Sequence, residues 1–422
     1  MNVSPHTESP IVAWVGLDWA DREHVVSLQV QGSSQVERLV IKPEPESLQH
    51  WIQQLRTRFA GGKVAMVLEQ SRGAVLHALM QYDCFILYPI NPKSLARYRE
   101  SLYPSNSKDD PADADLLREL VQKHPDRFHA WVPDDSETRQ LRLLVEYRRQ
   151  LVDQQTRLTN QLTSLLKSYY PQALSWAGDL ATLQACDFLE CWPTLEAVQK
   201  ASAGRLKKFY AQHHCRKREL IEKRIKQIRS ALPLTRDRAI LQSMSLMVVS
   251  LVRQLRPLLA AIEEFNQQIA ELFGRHPDHD LFARLPGAGA ALGPRLLTAF
   301  GSDRNRFQMA DEVQRLSGIA PVTQKSGKTQ NVFARWACPK FLRQTFQEFA
   351  GQSIRWSVWA KAFYRQKRSQ GMGHHAVLRV IAYKWIRIIF RCWKNRTPYD
   401  ESRYLAALQY RQRPQLKVLS PA

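Results

Sequence analysis

The stretch IVAWVGLDWA, residues 11–20, is a β-rich apolar run that closes on a carboxylate, Asp18. A run of this kind reads as a strand. EHVVSLQV (23–30) and VERLVIK (36–42) follow after short polar breaks, which predicts a three-stranded meander. PESLQHWIQQLRTRF (45–59) places Leu48, Trp51, Ile52 and Leu55 at i, i+3, i+4 and i+7, an amphipathic helix. Gly61–Gly62 interrupt it. KVAMVLE (63–69) is a buried strand ending in Glu69, GAVLHALMQY (73–82) a short helix and CFILYPI (84–90) another buried strand. The order strand, strand, strand, helix, strand, helix, strand predicts an α/β domain with the strands of Asp18 and Glu69 in the middle of its sheet. Sites in open α/β sheets form beyond the carboxyl ends of such strands.

The next segment, SNSKDDPADADLL (105–117), crowds Asp109, Asp110, Asp113 and Asp115 together in a chain that carries 61 Lys+Arg against 39 Asp+Glu. Two carboxylates about 4 Å apart repel by roughly 4 kcal/mol at an effective dielectric near 20. DPADADLLRELVQKH (110–124) is helical, with Pro111 in its first turn and Asp110 and Asp113 on one face. The helix dipole offsets under about 1 kcal/mol at an exposed end. Solvent would do the rest if these were ordinary turn acids. Alternatively Asp18, Glu69, Asp110 and Asp113 converge on hard divalent cations such as Mg²⁺, which take carboxylate oxygens. Two such ions about 3.5–4 Å apart can activate a nucleophile and stabilise a leaving oxygen in phosphodiester cleavage. On that reading Asp109 and Asp115 are helix-end or surface charges.

The charge is divided along the chain. Residues 1–135 hold 14 basic and 18 acidic residues, residues 136–232 hold 17 and 9, residues 233–303 hold 7 and 7, and residues 304–422 hold 23 and 5. A cation site at one end and a polyanion surface at the other follow, with nucleic acid the fitting polyanion and a membrane surface the poorer one. Hydrophobic residues make up 44 %, a globular value, and 422 residues suffice for two or three domains. MNVSPHTESP lacks the basic and apolar regions of a signal peptide. The uncharged stretch Ala239–Val252 is 14 residues, too short for a bilayer. Six cysteines without a C-x-x-C pair suit a reducing cytoplasm. The His213, His214 and Cys215 cluster lacks zinc-site spacing.

After a linker, WVPDDSET (131–138), Leu144, Leu151, Leu158 and Leu165 recur every seven residues. This pattern predicts a long coiled-coil helix or an internal packing seam. With RKRELIEKRIKQIRSAL (216–232) and LLAAIEEFNQQIAELF (258–273), it makes 136–275 a helical arm that folds back on itself. LFARLPGAGAALGPRLLTAFG (281–301) reads as two helices around a Pro-Gly-x-Gly turn. Such a turn is either a phosphate-gripping helix-hairpin-helix or an ordinary helix–turn–helix. RLSGIAPVTQKSGKTQNVFARWACPKFLRQTFQEFA (315–350) carries a small-residue loop with Ser326 between Lys325 and Lys328, then a basic aromatic helix. HHAVLRVIAYKWIRIIFRCWK (374–394) is another. The expected division is 1–130, 136–275, 276–405 and a tail, 406–422. A serine hydroxyl needs a base or metal to become a nucleophile; on its own, the loop also reads as a surface turn.

The strand ends GLDWA and LEQSRG, together with KDDPADADLL, resemble the N-terminal domain of the DEDD-type insertion-sequence transposases of the IS-one-ten class, which includes the pilin-gene invertase Piv. That family's third block reads Lys-Thr-Asp-x-x-Asp-Ala; Lys108, Asp110, Asp113 and Ala114 match it and Asp109 replaces the threonine. Its C-terminal blocks resemble Pro286–Gly289, Gly318–Pro321 and Ser326–Gly327. The resemblance runs over nearly the whole chain, in order. It implies an RNase H-like first domain of the RuvC type with Asp18, Glu69, Asp110 and Asp113 as ligands of Mg²⁺. It further implies Ser326 as a nucleophile forming a transient phosphoserine link to DNA. Members act as oligomers, here a dimer or tetramer, and several are guided by a structured RNA from the element's own flank. Two departures stand out: Lys325 takes the place of a common first serine, and the chain is longer than many members in the arm, at about 170–235. The expected function is a cytoplasmic transposase, with Lys325, Lys328, Arg335, Lys340 and Arg343 on phosphate and no membrane partner. The rival enzyme is a RuvC-like junction-resolving nuclease that uses the tetrad and water. The non-enzymatic rival is a coiled-coil nucleic-acid-binding protein.

Overall fold

The computed structural model describes residues 10–69, 73–102, 110–215, 217–327 and 329–410, with only the backbone of Asp110. Its contacts divide the chain into two compact units, 1–133 and 134–422.

The first unit is a mixed α/β sheet. Its elements are β1 (Ile11–Asp18), β2 (His24–Val30), β3 (Val36–Ile41), α1 (Pro45–Arg58), β4 (Lys63–Leu68), α2 (Ala74–Leu79), β5 (Phe85–Pro89), α3 (Pro92–Leu102) and α4 (Asp110–Lys123). The strand order is β3-β2-β1-β4-β5. The meander β1–β3 is antiparallel, whereas β1, β4 and β5 run parallel. Alternate residues of the central strands face opposite layers. Ala13, Val15, Leu17, Val64, Met66 and Leu68 pack with Leu48, Trp51, Ile52 and Leu55 of α1 and Val75, Leu76 and Leu79 of α2. Trp14, Ala65 and Val67 pack on the other face with Leu95 of α3 and Leu116, Leu117, Leu120 and Val121 of α4. Both faces of β1 and β4 are therefore buried, which is why these strands read as continuous apolar runs.

The second unit is mostly helical. It opens with α5 (Ser136–Tyr169), whose N-terminus is capped by the Asp135 carboxylate accepting from the Thr138 amide at 2.8 Å. There follow α6 (Ala173–Trp176), α7 (Leu183–Cys191), α8 (Leu195–Lys200), α9 (Ala203–Gln212), α10 (Arg218–Ser230) and α11 (Arg238–Arg275). Leu141 and Val145 near the start of α5 share a core with Ile269, Leu272 and Phe273 at the end of α11. Leu162 and Leu166 near the end of α5 share another with Val248, Leu251, Val252 and Leu255 near the start of α11. The two long helices thus run antiparallel, each end fixed in a different core: a root core at the start of α5 and the end of α11, and a distal core at the end of α5 and the start of α11. The residues at the seven-residue spacing are half-buried, while Leu141, Val145, Leu162 and Leu166 are fully buried.

The root core continues through α12 (His279–Ala283), α13 (Gly289–Phe300), α14 (Ala310–Leu316), a hairpin of β6 (Val322–Ser326) and β7 (Thr329–Phe333), then α15 (Lys340–Trp356), α16 (Val358–Ser369), α17 (His374–Lys394) and α18 (Glu401–Tyr410). Trp359, Trp385 and Trp393 are fully buried at its centre. Helix α18 buries Leu408, so the helical structure runs past residue 405 to Tyr410, while 411–422 lie outside the described residues. Among the described residues, α11 is the one helix long and apolar enough to cross a membrane. Its Val248, Leu251, Val252 and Leu255 stripe lies in the distal core.

Candidate active site

Strand register brings the first two acids together. β1 and β4 are parallel neighbours, with Leu17 paired to Leu68, so Asp18 and Glu69 are the residues that follow the last paired position on each side. Adjacent strands lie about 4.8 Å apart. Asp18 follows Trp14 and Gly16 on alternate positions, and Glu69 follows Ala65 and Val67. Both therefore belong to the face that α4 covers. Asp18 is buried and Glu69 half-buried.

Gly16 sets how closely α4 can approach. A Cβ on Gly16 would lie 2.0 Å from the carbonyl oxygen of Ala114 and 2.7 Å from the amide nitrogen of Arg118. The backbone of α4 thus rests on β1 two residues before Asp18, and Asp113 immediately precedes the contacting Ala114. Asp110 begins the same helix one turn earlier, with its side chain outside the described residues.

Asp113 is 3 % exposed and ion-paired. Arg99 of α3 donates to its Oδ1 from Nε at 2.8 Å and approaches it with Nη2 at 2.5 Å. Asp115 points elsewhere: it accepts from the Ser27 hydroxyl at 2.5 Å and pairs with Arg38 at 2.7 Å. The expectation of a surface or helix-end charge is corrected here, because Asp115 ties α4 to β2 and β3. Beside half-buried Asp115, the buried Arg118 donates to Ser27 Oγ at 3.0 Å, and burial lowers its pKa. Asp109 lies outside the described residues.

Among the described residues no group of three or more histidine, cysteine, aspartate or glutamate side chains is gathered closely enough to hold a metal ion. The donor chemistry nevertheless suits a hard divalent cation, since all four residues offer carboxylate oxygens. Arg99 supplies positive charge to one of them in this conformation.

Ser326 lies on a different kind of support. It is the last residue of β6 and pairs with Thr329 across the turn, where Gly327 has φ +55°. The small-residue loop expected here is a two-stranded hairpin. Apart from Val322, the residues of its two strands are exposed, so no alternation of buried positions marks it in the sequence. No carboxylate or histidine occurs in 322–333. Lys325 is exposed beside Ser326, and Lys328 lies outside the described residues. Arg335 is half-buried, donating from Nε to the Ala320 carbonyl at 3.3 Å. Lys340 is exposed at the start of α15. The Arg343 guanidinium sits 5.5 Å from the ring centre of Trp336, which is 80 % exposed. An open groove of about 480 Å³ adjoins the hairpin, lined by Ile319, Val332, Phe333, Arg335, Arg379 and Tyr383 among others.

The Pro-Gly-x-Gly turn is packed on protein at its first glycine. A Cβ at Gly287 would lie 2.9 Å from the carbonyl carbon of Gln352 in α15, whereas one at Gly289 would meet open space.

The comparisons with known proteins put this α/β unit and the basic helical unit that follows it in the class of insertion-sequence transposases. A transposase model of the DEDD IS110 type matches residues 15–171, and a second, described as Transposase IS116/IS110/IS902 family, matches residues 279–365. The chain belongs to the IS110 family of insertion-sequence transposases, enzymes that cut and rejoin DNA. It is 26 % identical over 411 residues to the candidate transposase of the IS117 mini-circle of Streptomyces coelicolor, covering 95 % of this chain and 98 % of that protein. It is 23 % identical to the 42-kDa protein of insertion element IS900 of Mycobacterium paratuberculosis, covering 93 % and 98 % respectively. It is 24 % identical to the 43.6-kDa protein of IS110 of Streptomyces coelicolor, covering 94 % and 97 %. These alignments span nearly the full length of both partners, so relative to these three proteins the arm is not a large insertion.

Proposed function

We propose that this transposase joins DNA through a serine. Asp18, Glu69, Asp110 and Asp113 would hold the divalent metal that the family suggests, Mg²⁺ by their all-oxygen chemistry. Such an ion polarises a scissile phosphate and stabilises charge on its oxygens. The observation that supports this reading is the β1–β4 register, whose last pair, Leu17 and Leu68, immediately precedes Asp18 and Glu69, next to the face on which the Asp113 helix packs. The strand order β3-β2-β1-β4-β5 supports an RNase H-like, RuvC-type fold for the first unit.

Ser326 Oγ attacks the phosphorus, an Oγ–P bond forms, and the P–O bond to the leaving sugar breaks. The serine proton is lost and the leaving oxygen gains one. An incoming sugar hydroxyl later displaces the serine, so the bond energy is retained and rejoining needs no external energy source. The hairpin holds neither carboxylate nor histidine, so activation of Ser326 must come from outside it. Lys325, Lys328, Arg335, Lys340 and Arg343 contact backbone phosphates, and Trp336 offers a stacking face for a base. The excess of 23 basic over 5 acidic residues in 304–422 also suits a structured guide RNA. Apolar side chains exposed at the start of α11, Ile240, Leu246 and Met247, support pairing with a second copy through the arm. The reaction belongs in the cytoplasm, where the element's DNA lies.

The test is cleavage of a plasmid carrying the element with its flanks, with and without Mg²⁺. Asp18→Ala and Asp113→Ala should abolish both cleavage and a protein–DNA adduct. Ser326→Ala should abolish the adduct and rejoining. Full cleavage by Ser326→Ala would favour the water-using nuclease, and activity in Asp113→Ala would remove the acidic site from the chemistry.

A further inference from the structure

The distal end of the arm carries a charge pattern that the catalytic reading does not use. Residues 195–230 contain 11 Lys+Arg and 3 Asp+Glu. Helices α9 and α10 turn Leu206, Phe209, Tyr210, Ile221, Ile225 and Ile228 into the distal core, so their charged residues face outward. Several of the cations have protein partners. Lys200 pairs with Glu196 and Lys207 with Glu222, each at 2.6 Å. Arg229 donates to the carbonyls of Gln199 and Ala201. Arg224 lies over Tyr210 and Arg205 over Trp192.

What remains is unbalanced. Lys208, Lys217, Arg218, Lys223 and Lys226 are exposed and have no salt-bridge partner among the described residues. Two of the segment's three acids are already engaged by Lys200 and Lys207. Like charges on two short neighbouring helices repel, and a polyanion laid across them relieves that repulsion.

We propose that the arm tip is a second DNA-binding surface, gripping the phosphate backbone of duplex DNA with Lys208, Lys217, Arg218, Lys223 and Lys226. Duplex DNA is the occupant because the protein acts on DNA and because the arm supplies reach. The 34 residues of α5 extend about 50 Å at 1.5 Å per residue. That length corresponds to about 15 base pairs at 3.4 Å each. The grip therefore falls on DNA about 15 base pairs from the part held at the arm's root, and it is insensitive to sequence, because phosphate contacts carry none. The inference rests on the DNA-recombining activity of the family and not on the serine chemistry.

The test uses the full-length triple variant Lys208→Gln, Lys223→Gln, Lys226→Gln. The control variant is Lys42→Gln, Lys93→Gln, Lys123→Gln, which removes the same charge from exposed sites elsewhere. Affinity for a 60-base-pair element-end duplex is measured against NaCl concentration, with a hydroxyl-radical footprint. The expected result is a slope of log K against log salt reduced by about 2.7, roughly 0.9 for each phosphate that is no longer neutralised. Affinity should fall on the order of tenfold near physiological salt, and the outer block of protection should disappear. The control should keep slope and footprint, and the triple variant should still cut a duplex too short to reach the tip. Parental slope and footprint in the triple variant would overturn the proposal. So would a selective loss of binding to structured RNA, or a loss of cleavage on the short duplex. Failure of the serine reading would appear separately, as a missing adduct in the parental protein.

Discussion

The acidic site and the serine hairpin are built on opposite physical terms. Around Asp18 the chain is packed on both faces of the sheet, α4 lies in backbone contact with Gly16, and Asp113 is buried against Arg99. Around Ser326 there are two five-residue strands, exposed throughout after Val322, with an open turn at Gly327. A packed site holds its ligand atoms in place before substrate arrives, whereas an isolated two-stranded hairpin is marginal by itself. On the proposed reading, the first unit organises charge and an adaptable element of the second delivers the nucleophile. Nucleic acid gripped by Trp336, Arg343 and the neighbouring cations would then fix the hairpin for reaction.

Breaking the buried pair should have the largest effect on stability. Arg99→Leu leaves the Asp113 carboxylate buried without its partner and should cost about 3–5 kcal/mol, read as a lowered denaturant midpoint. Added Mg²⁺ should recover more stability in this variant than in the parent, because a cation then replaces the missing guanidinium. Equal response of both proteins to Mg²⁺ would dissociate Asp113 from metal binding.

Gly16→Ala comes next. The added Cβ would fall 2.0 Å from the Ala114 carbonyl oxygen, so α4 must shift. Overpacking of this kind costs about 1–3 kcal/mol, and cleavage should fall with it as Asp113 moves. The matching change at the other site, Gly327→Ala, meets open space and is strained only by its φ of +55°. It should cost about 1 kcal/mol locally, leaving the global melt unchanged while reducing adduct yield. Similar melting losses at both glycines would erase the distinction between a packed and an open site.

These differences explain which features are legible in the chain. The strands ending in Asp18 and Glu69 stand out as continuous apolar runs because both of their faces are buried, and the helix of Asp113 stands out because its buried residues recur at helical spacing. Helix α3 leaves no such pattern, because Leu95 is its single buried residue, and so nothing periodic points to Arg99. A local signal is nevertheless present: Asn91 accepts from the Lys93 amide at 2.9 Å just before Pro92, an N-terminal cap followed by proline. The β6–β7 hairpin reads as a loop because VTQKS and TQNVF show β-branched residues without alternation of burial. The leucines at seven-residue spacing all lie in α5, as a helix requires, but its buried leucines and valine are Leu141, Val145, Leu162 and Leu166. Those positions sit at the two ends where separate cores form.

The smallest expected effect is a pH dependence at the arm's root. His276 is buried, its Nδ1 accepting from the Asp278 amide at 3.0 Å and its Nε2 bonded to the Thr138 hydroxyl at 2.9 Å. Burial lowers its pKa below the ordinary 6.5. A depressed folded pKa contributes stability that is present above the unfolded value and lost as pH falls through the folded one. The melting temperature should therefore decline as pH drops below about 6.5, and His276→Gln should flatten that decline. An unchanged pH profile in the variant would assign acid sensitivity to other groups.

The most direct measurement is mass spectrometry of the parental protein after reaction with Mg²⁺ and plasmid carrying the element, following nuclease and protease digestion. The account predicts a nucleotide attached through phosphate to the peptide containing Ser326, absent from Ser326→Ala and from Asp18→Ala. DNA cut to completion with no modified peptide, or a nucleotide on a residue other than Ser326, would contradict it.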